Sequence, residues 1–354
     1  MVNSSMHDHA VGALLGLAIG DALGMPTQSM SPAQIRGAYG AKPVGAFVDA
    51  CPNQPIAPDM RAGSVTDDTE QALLLAEQLI DGDGELDIRQ YAYALLNWED
   101  DMRAKGSLDL LGPSTKRALE QFKAGVDVER TGILGTTNGG AMRACPIGIA
   151  NRPDPHLAEI ARRSTIVTHN TEQGLESTML VAAAVSYGIE GSEPVEAMLM
   201  ACNYVTAYLA MRRFEGHGVG HWSPKASVLA RTRWAINWAR AHTGDASPDL
   251  YDHDMFAEQL RAIIGTSVEA NESVPAAFAI ATRYAGRPYD ALVVAANLGG
   301  DTDTIAAMTG AILGAVHGAD AFPEAMARTV QEVNALDLSS TADRLLALSD
   351  RRNA

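Results

Sequence analysis

The sequence predicts an all-α protein. Apolar residues recur at helical spacing through most of the chain, and almost no stretch alternates apolar and polar residues with a period of two. The best strand candidate, residues 44–49, is short, whereas a β protein of 354 residues would show several strand-like runs bounded by turns. Because the composition does not shift enough to mark a linker, we predict a single compact domain, residues 1–354, of about 13 to 15 packed helices.

The helices follow from apolar periodicity and from the Pro, Gly and Asp-Gly clusters that end it. In chain order the predicted helices cover residues 9–23, 67–80, 87–102, 114–123, 141–150, 157–168, 172–188, 194–213, 225–241, 255–264, 273–286, 288–297, a segment beginning at 301, 323–336 and 341–348. Six prolines fall within residues 25–62, which are therefore predicted to be a long irregular connection. A connection of that length inside a compact domain is usually functional.

The net charge and the cysteine content indicate which partners and which cellular compartment the sequence favours. The net charge of −16 disfavours nucleic acid and anionic membranes as partners, because proteins that bind phosphate backbones usually carry a basic patch. The three cysteines are far apart and have no metal-binding spacing, which favours reduced thiols and a cytoplasmic protein. No apolar run is both long enough and sufficiently free of glycine to predict a membrane span. No obligatory protein partner is evident.

Two acidic helix starts carry the predicted chemistry. Residues 301–304 (DTDT) follow two glycines and open a helical run, and residues 66–68 (TDD) open another far upstream. Each start gathers carboxylate and hydroxyl oxygens, the ligands that Mg²⁺ and Mn²⁺ prefer. We predict that the two starts meet in space and hold two cations, which would lie about 3.5–4 Å apart.

Helix capping is the alternative explanation of these residues. Thr and Asp are preferred at N-caps, and Asp in the first turn complements the helix dipole. Either stretch alone is better explained by capping. The two together weaken the capping explanation, because capping needs one or two such residues and not four clustered carboxylates, so the pattern alone leaves capping and a metal site equally supported. Asp21, between two glycines, is open to both readings: it could support the metal shell or accept backbone hydrogen bonds at a helix end.

The chain resembles the ADP-ribosylglycohydrolase family in five segments that occur in the family's order. These segments are GALLGLAIGDALGMP (12–26), SVTDDTEQALLLAEQLI (64–80), TNGGAMRACPIGIA (137–150), THNTEQGLESTMLVAAAVSYGIEG (168–191) and NLGGDTDTIAAMTGAILGAVHG (297–318). The resemblance implies an all-α fold around a binuclear Mg²⁺ or Mn²⁺ site. It also implies hydrolysis of the glycosidic bond at C1 of an ADP-ribosyl group on a protein side chain or small molecule.

The resemblance also implies roles for individual residues. The metal ligands would be Thr66, Asp67, Asp68, Asp301, Asp303 and Thr304. Asn138, Gly139 and Gly140 would pass close to the ribose or diphosphate, and His169 falls at a junction typical of the family. Asp303, as a metal ligand, and Asp109, as the acid that protonates the leaving group, would be catalytic. Trp222 is the best candidate for stacking on adenine, because it lies in a loop.

Two departures from the family pattern leave the substrate open. Members often carry Glu a few residues after the GDALG segment, where this chain has Gln28, which cannot act as a general base. The loop at residues 214–225 has no counterpart in the better-known members. Both features favour an alternative activity, an N-glycosidase for a nucleoside or nucleotide. A relative that binds ligand without catalysis is a third hypothesis, and the intact acid clusters argue against it.

Overall fold

The computed structural model describes residues 4–106, 111–215, 218, 220–242 and 254–352, and these residues confirm the all-α prediction. They form one compact domain of α-helices joined by turns and loops. The α-helices are α1 (Ser4–Gly24), α2 (Pro32–Tyr39), α3 (Asp67–Asp81), α4 (Ile88–Ala104), α5 (Pro113–Lys123), α6 (Val128–Thr131), α7 (Gly139–Met142), α8 (Cys145–Ala150), α9 (Pro155–His169), α10 (Glu172–Ile189), α11 (Pro194–Phe214), α12 (Val228–Ala241), α13 (Asp254–Ile263), α14 (Ala270–Arg283), α15 (Pro288–Ala296), α16 (Thr302–His317), α17 (Glu324–Asn334) and α18 (Leu338–Arg352).

The predicted number of helices was too low for the described residues, because short helices were missed. Helix α2 begins at a proline inside the stretch predicted to be irregular, where Ser31 forms a capping box with Gln34. Helices α6 and α7 have four residues each and show no apolar periodicity to detect. The strand candidate at residues 44–49 is irregular chain, and the described residues contain only isolated β-bridges.

Helices α1 and α16 pack backbone to backbone at the centre of the domain. Glycines 12, 16, 20 and 24 recur every fourth residue on α1, and the same spacing on α16 places Ala306, Gly310 and Gly314 opposite them in antiparallel order. A Cβ atom added to Gly16 would overlap the carbonyl oxygen of Gly310, so only glycine permits this approach. The last turn of α1 therefore lies against the first turn of α16, where the acidic motif begins.

The burial of α1 explains an apolar stretch that resembles a membrane span. Within the described part of the chain, one stretch, Ser5–Thr27, is long and apolar enough to cross a membrane, with a mean hydropathy of 1.4. The prediction that no apolar run is long enough to span a membrane was wrong for this stretch, as judged by length and composition. However, 94% of the window is buried inside the protein, as expected of a core helix in a folded domain.

Candidate active site

Asp21 of α1 accepts hydrogen bonds from the first turn of α3. This side chain lies on the buried last turns of α1 and accepts hydrogen bonds from the backbone amides of Thr66 (3.0 Å) and Thr69 (3.1 Å). It also accepts the hydroxyls of the same two threonines, at 2.8 and 2.5 Å. These amides are among those that an α-helix leaves unsatisfied at its N-terminus. Of the two roles left open for Asp21, the structure shows the backbone-capping one.

The two acidic helix starts converge, as the sequence predicts. Thr304, in the first turn of α16, donates its hydroxyl to Oδ2 of Asp68 at 3.2 Å, although the residues are 236 positions apart. Thr66, the N-cap of α3, donates to the same oxygen at 3.2 Å. Asp68 is fully buried. Burial and then the charges of Asp21, Asp67 and Asp301 raise the pKa of Asp68 well above its ordinary value.

Asn138 connects the glycine-rich loop to the acidic cluster. Its side-chain amide donates to Oδ2 of Asp301 at 2.5 Å and to Oγ of Ser273 at 3.0 Å. Burial raises the pKa of Asp301 to about 6, although the hydrogen bonds from Asn138 and Thr304 lower it. Asn138 was predicted to bind substrate. Both hydrogen bonds from its amide go to groups within the protein, so Asn138 holds the side chain of Asp301 in place.

A cleft of about 380 Å³ opens onto this cluster. One wall consists of acidic residues and a hydroxyl, Asp67, Asp301, Asp303 and Thr304. A second wall is the loop Thr137, Asn138 and Gly139, and a third is the start of α5 with Gly112, Thr115 and Lys116. Gln28 and Ser29 close the fourth side. A space of this size, with polar groups converging on one wall, is typical of small-molecule sites.

The fourth wall is held beside the acidic cluster by a short backbone pairing. The amide of Ser29 donates to the carbonyl of Gly300 at 2.6 Å, and the amide of Gly300 donates to Met30 at 3.0 Å. Gln54, which is buried, donates to the carbonyls of Met25 and Gln28. The long connection after α1 therefore contributes to the cleft, which agrees with the functional role expected of a long loop.

His169 lies behind the glycine-rich loop and does not line the cleft. The imidazole is fully buried, with Nε2 at 2.9 Å from Oγ1 of Thr137 and Nδ1 at 2.8 Å from Oγ1 of Thr168. A Cβ added to Gly139 would lie 2.8 Å from Cε1 of His169, so the glycine lets the loop pass between histidine and cleft. The structure places His169 as a support of the loop, and not as the substrate contact that the sequence predicts.

The environment of His169 predicts a pH dependence of stability. Burial, and then the charge of Arg143, lower the pKa of His169 well below its ordinary value of 6.5. As pH falls below 6.5, the unfolded chain binds a proton at this histidine that the folded chain does not bind. The free energy of unfolding therefore falls by up to about 1.4 kcal/mol per pH unit. We expect His169→Gln to show a smaller fall in the free energy of unfolding between pH 7 and 5, measured by urea denaturation. Equal falls in both proteins would contradict the prediction.

The other predicted site residues differ in where they lie relative to the cleft. Gln28 and Gly139 line the cleft, and Gly140 lies behind it, where an added Cβ would overlap Oγ1 of Thr178. Trp222 is 75% exposed and is not among the residues that line the cleft, so the structure gives no support for its stacking on a ligand there. Asp109 lies outside the described residues.

Some residues at or near the cleft were missed by sequence reasoning. Thr115 and Lys116 lie in the segment that was considered for Asp109 alone, and Thr137 begins the segment that was considered for its glycines. Arg143 and Gln71 lie inside the quoted family segments, but nothing in their spacing indicates that they face each other. Only Lys116 could have been found from the sequence, because a basic residue in a chain of net charge −16 is a candidate contact for an anionic ligand.

The donor chemistry of the acidic wall fits a hard divalent cation. Within the described residues, no three Asp, Glu, His or Cys side chains converge as a ready metal-binding group. The predicted ligands include two threonine hydroxyls, and Mg²⁺ usually takes one or two carboxylates and keeps several waters. Oδ1 of Asp68 is buried without a hydrogen-bond partner, an acceptor that a cation would satisfy.

Comparison with known proteins identifies the family. The model of the ADP-ribosylglycohydrolase family matches residues 3–354. The uncharacterized protein YegU of Escherichia coli is 31% identical over 98% of this chain and 99% of its own length. The ADP-ribosylarginine hydrolase Tri1 of Pseudomonas putida is 26% identical over 89% of this chain and 72% of its own. A solved structure, titled as an ADP-ribosylglycohydrolase-related protein complex, covers 98% of this chain and 100% of its own with a TM-score of 0.66 and 26% identity.

The chain therefore belongs to the ADP-ribosylglycohydrolase family. The structural match agrees with the helical architecture described above.

Proposed function

We propose that this protein is a hydrolase that cleaves the glycosidic bond at C1 of an ADP-ribosyl group, assisted by divalent cations of the Mg²⁺ or Mn²⁺ kind. The single observation that carries the proposal is the contact between Thr304 and Asp68, which brings two distant acidic helix starts to one wall of a cleft. Membership of the family supplies the substrate class. The hydrolase name of the Pseudomonas relative agrees with it.

The residues that would hold the cations are those predicted from the sequence, Thr66, Asp67, Asp68, Asp301, Asp303 and Thr304. Bound cations would fix sugar hydroxyls and lower the pKa of a water molecule. The carboxylates of the wall also have a role of their own. Glycoside hydrolysis passes through a positively charged, oxocarbenium-like state at C1, which nearby negative charges stabilise.

The remaining walls position the substrate. Asn138 holds Asp301 by a hydrogen bond of 2.5 Å, so the loop and the acidic wall keep a fixed spacing. Gly139 lines the cleft, and because it has no side chain the loop can lie directly against His169 behind it. The departing group needs a proton, for which we propose the carboxyl of Asp109.

A turnover assay on three substrate classes tests this proposal. ADP-ribosyl-arginine, ADP-ribosyl-serine and unmodified nucleosides would each be supplied with and without Mg²⁺ or Mn²⁺. We expect release of ADP-ribose from at least one ADP-ribosyl substrate, and only when a divalent cation is present. Hydrolysis of nucleosides alone, or no hydrolysis of any substrate, would contradict the proposal.

The alternative activity is hydrolysis of a simpler ribosyl compound, and Gln28 is the observation that favours it. Gln28 lines the cleft beside the acidic wall, where a neutral amide brings neither charge nor a proton acceptor for catalysis. Lys116 instead favours a substrate that carries phosphate, as an ADP-ribosyl group does and a nucleoside does not. It lines the same cleft and forms no ion pair among the described residues, so its ammonium group is available to a phosphate.

The variant Lys116→Met separates the two activities. Loss of a hydrogen bond to a charged group costs about 1.5 kcal/mol, so we expect KM for an ADP-ribosyl substrate to rise about tenfold while kcat is nearly unchanged. KM for a nucleoside, which has no phosphate, would stay within twofold. Lys123→Met at the far end of α5 is the matched control, since Lys123 faces Asp100 and not the cleft. An unchanged KM for the ADP-ribosyl substrate would show that Lys116 does not contact the phosphate of the substrate.

A further inference from the structure

Arg143 is a fully buried cation behind the cleft. It follows α7 directly, and its exposed fraction is 0%. Its guanidinium carbon lies 5.4 Å from the ring centroid of Tyr91. Among the described residues, Arg143 takes part in no ion pair. Burying a charge without a carboxylate partner is costly, and an apolar residue of similar volume often gives equal or higher stability. Stability alone therefore does not explain this arginine.

One branch of hydrogen bonds leads from Arg143 to the acidic wall. Nη1 of Arg143 donates to Oε1 of Gln71 at 2.9 Å, and Nε2 of Gln71 donates to Oδ2 of Asp67 at 3.1 Å. Arginine only donates and an ionised carboxylate only accepts, so the orientation of the Gln71 amide is fixed by its two neighbours. Gln71 is fully buried and lies one turn after Asp67 on α3. The Asp67 carboxylate is thereby held on the side of the cleft.

A second branch leads from the same guanidinium to the loop wall of the cleft. Nη2 of Arg143 donates to Oγ1 of Thr168 at 2.6 Å, and Thr168 contacts Nδ1 of His169 at 2.8 Å. Nε2 of His169 then contacts Oγ1 of Thr137 at 2.9 Å, and Thr137 lines the cleft. Thr168 and His169 are both fully buried. Arg143 is thus connected to the acidic wall through the fully buried Gln71, and to the loop wall through the fully buried Thr168 and His169.

We propose that Arg143 is a positioning residue for the reaction: through Gln71 it orients the Asp67 carboxylate, and through Thr168 and His169 it fixes the loop of Thr137 to Gly139. This inference rests on the proposed function. Its physical basis is that a site must be held to within a fraction of an ångström by groups that do not react themselves. The two hydrogen-bonded branches share only the guanidinium group of Arg143. A substitution can therefore remove the hydrogen bonds of one branch and leave those of the other.

Two variants cut one branch each. Gln71→Met keeps the length of the side chain but removes both hydrogen bonds, so we expect the affinity of the metal-free protein for Mn²⁺, measured by calorimetry, to fall tenfold or more. Affinity for ADP-ribose added afterwards to the Mn²⁺-saturated variant would stay within twofold. Thr137→Val keeps the shape but removes the hydroxyl, so affinity for ADP-ribose would fall about fivefold and affinity for Mn²⁺ would stay within twofold. Gln78→Met, further along α3 and away from the cleft, is the matched control.

Arg143→Lys completes the test, because it weakens both branches at once. We expect it to lower the affinities for Mn²⁺ and ADP-ribose together. A purely structural role would lower the melting temperature of these variants and leave both dissociation constants of the folded protein unchanged, and that result would overturn the inference.

Turnover by the wild-type protein is measured in parallel. If the wild type hydrolyses ADP-ribosyl substrates while the variants bind as it does, the inference is wrong and the proposed function stands, whereas an inactive wild type contradicts the function.

Discussion

Replacing Asp303 by alanine is expected to lower kcat/KM for an ADP-ribosyl substrate by about a thousandfold or more. Asp303 lies in the first turn of α16 and lines the cleft between the two acidic helix starts. It is buried, so its charge acts with little screening by solvent. A thousandfold loss corresponds to about 4 kcal/mol of transition-state stabilisation, a reasonable value for removing one group that, under the proposed function, would hold a cation and face the developing positive charge.

The same variant is expected to fold. The acidic wall concentrates like charges: burial, and then the charges of Asp21, Asp67 and Asp301, raise the pKa of Asp68. Removing one negative charge relieves repulsion in the metal-free protein, so its melting temperature should equal or exceed that of the wild type. Asp320→Ala, an exposed acid just beyond the other end of α16, is the control and should keep full activity. If Asp303→Ala retains more than a tenth of wild-type activity, Asp303 is not catalytic.

The sequence was sufficient to predict the convergence of the two acidic helix starts. Capping needs fewer acids than are present, the family resemblance favoured convergence over capping, and the hydrogen bond between Thr304 and Asp68 agrees with that convergence. Helical class and most long helices also followed, because apolar periodicity is a local property of the chain. Short helices such as α7 have too few residues for a period to appear.

The supporting network could not be predicted, because its members are distant in sequence and are chemically ordinary one by one. Arg143 and Gln71 are 72 positions apart, and a glutamine within an amphipathic helix gives no sign of which residue it will meet. His169 was assigned to the substrate from its motif. Its separation from the cleft by a single glycine is a fact of packing that no pattern of spacing encodes. Trp222 was selected because it lies in a loop, and the structure leaves it exposed and away from the cleft.

The glycines of α1 illustrate a further limit. Their four-residue spacing is visible in the sequence, but the register with α16 is not. The structure sets Gly12, Gly16 and Gly20 against Gly314, Gly310 and Ala306 in turn. This register brings the last turn of α1, with Asp21, to the place where α3 and α16 both begin. The geometry of the acidic wall therefore depends on contacts between backbones about three turns away.

Gly310→Ala is expected to destabilise the protein by at least about 3 kcal/mol. The added Cβ would overlap the carbonyl oxygen of Gly16, and backbone atoms of two packed helices cannot move aside as a flexible side chain can. The gain of about 1 kcal/mol from the better helix propensity of alanine only partly offsets this cost. Helices α1 and α16 would have to separate, which moves Asp303 relative to Asp68, so activity should fall in the fraction that remains folded.

Urea denaturation of two matched glycine variants measures this effect. Gly37→Ala, on the exposed helix α2, is the control, because an added Cβ there has no neighbour within 4 Å. We expect Gly37→Ala to leave the free energy of unfolding unchanged or raise it by up to about 1 kcal/mol, since it gains propensity without a clash. If Gly310→Ala behaved in the same way, the two central helices would not be in backbone contact. The acidic starts of α3 and α16 would then need another means of being held together.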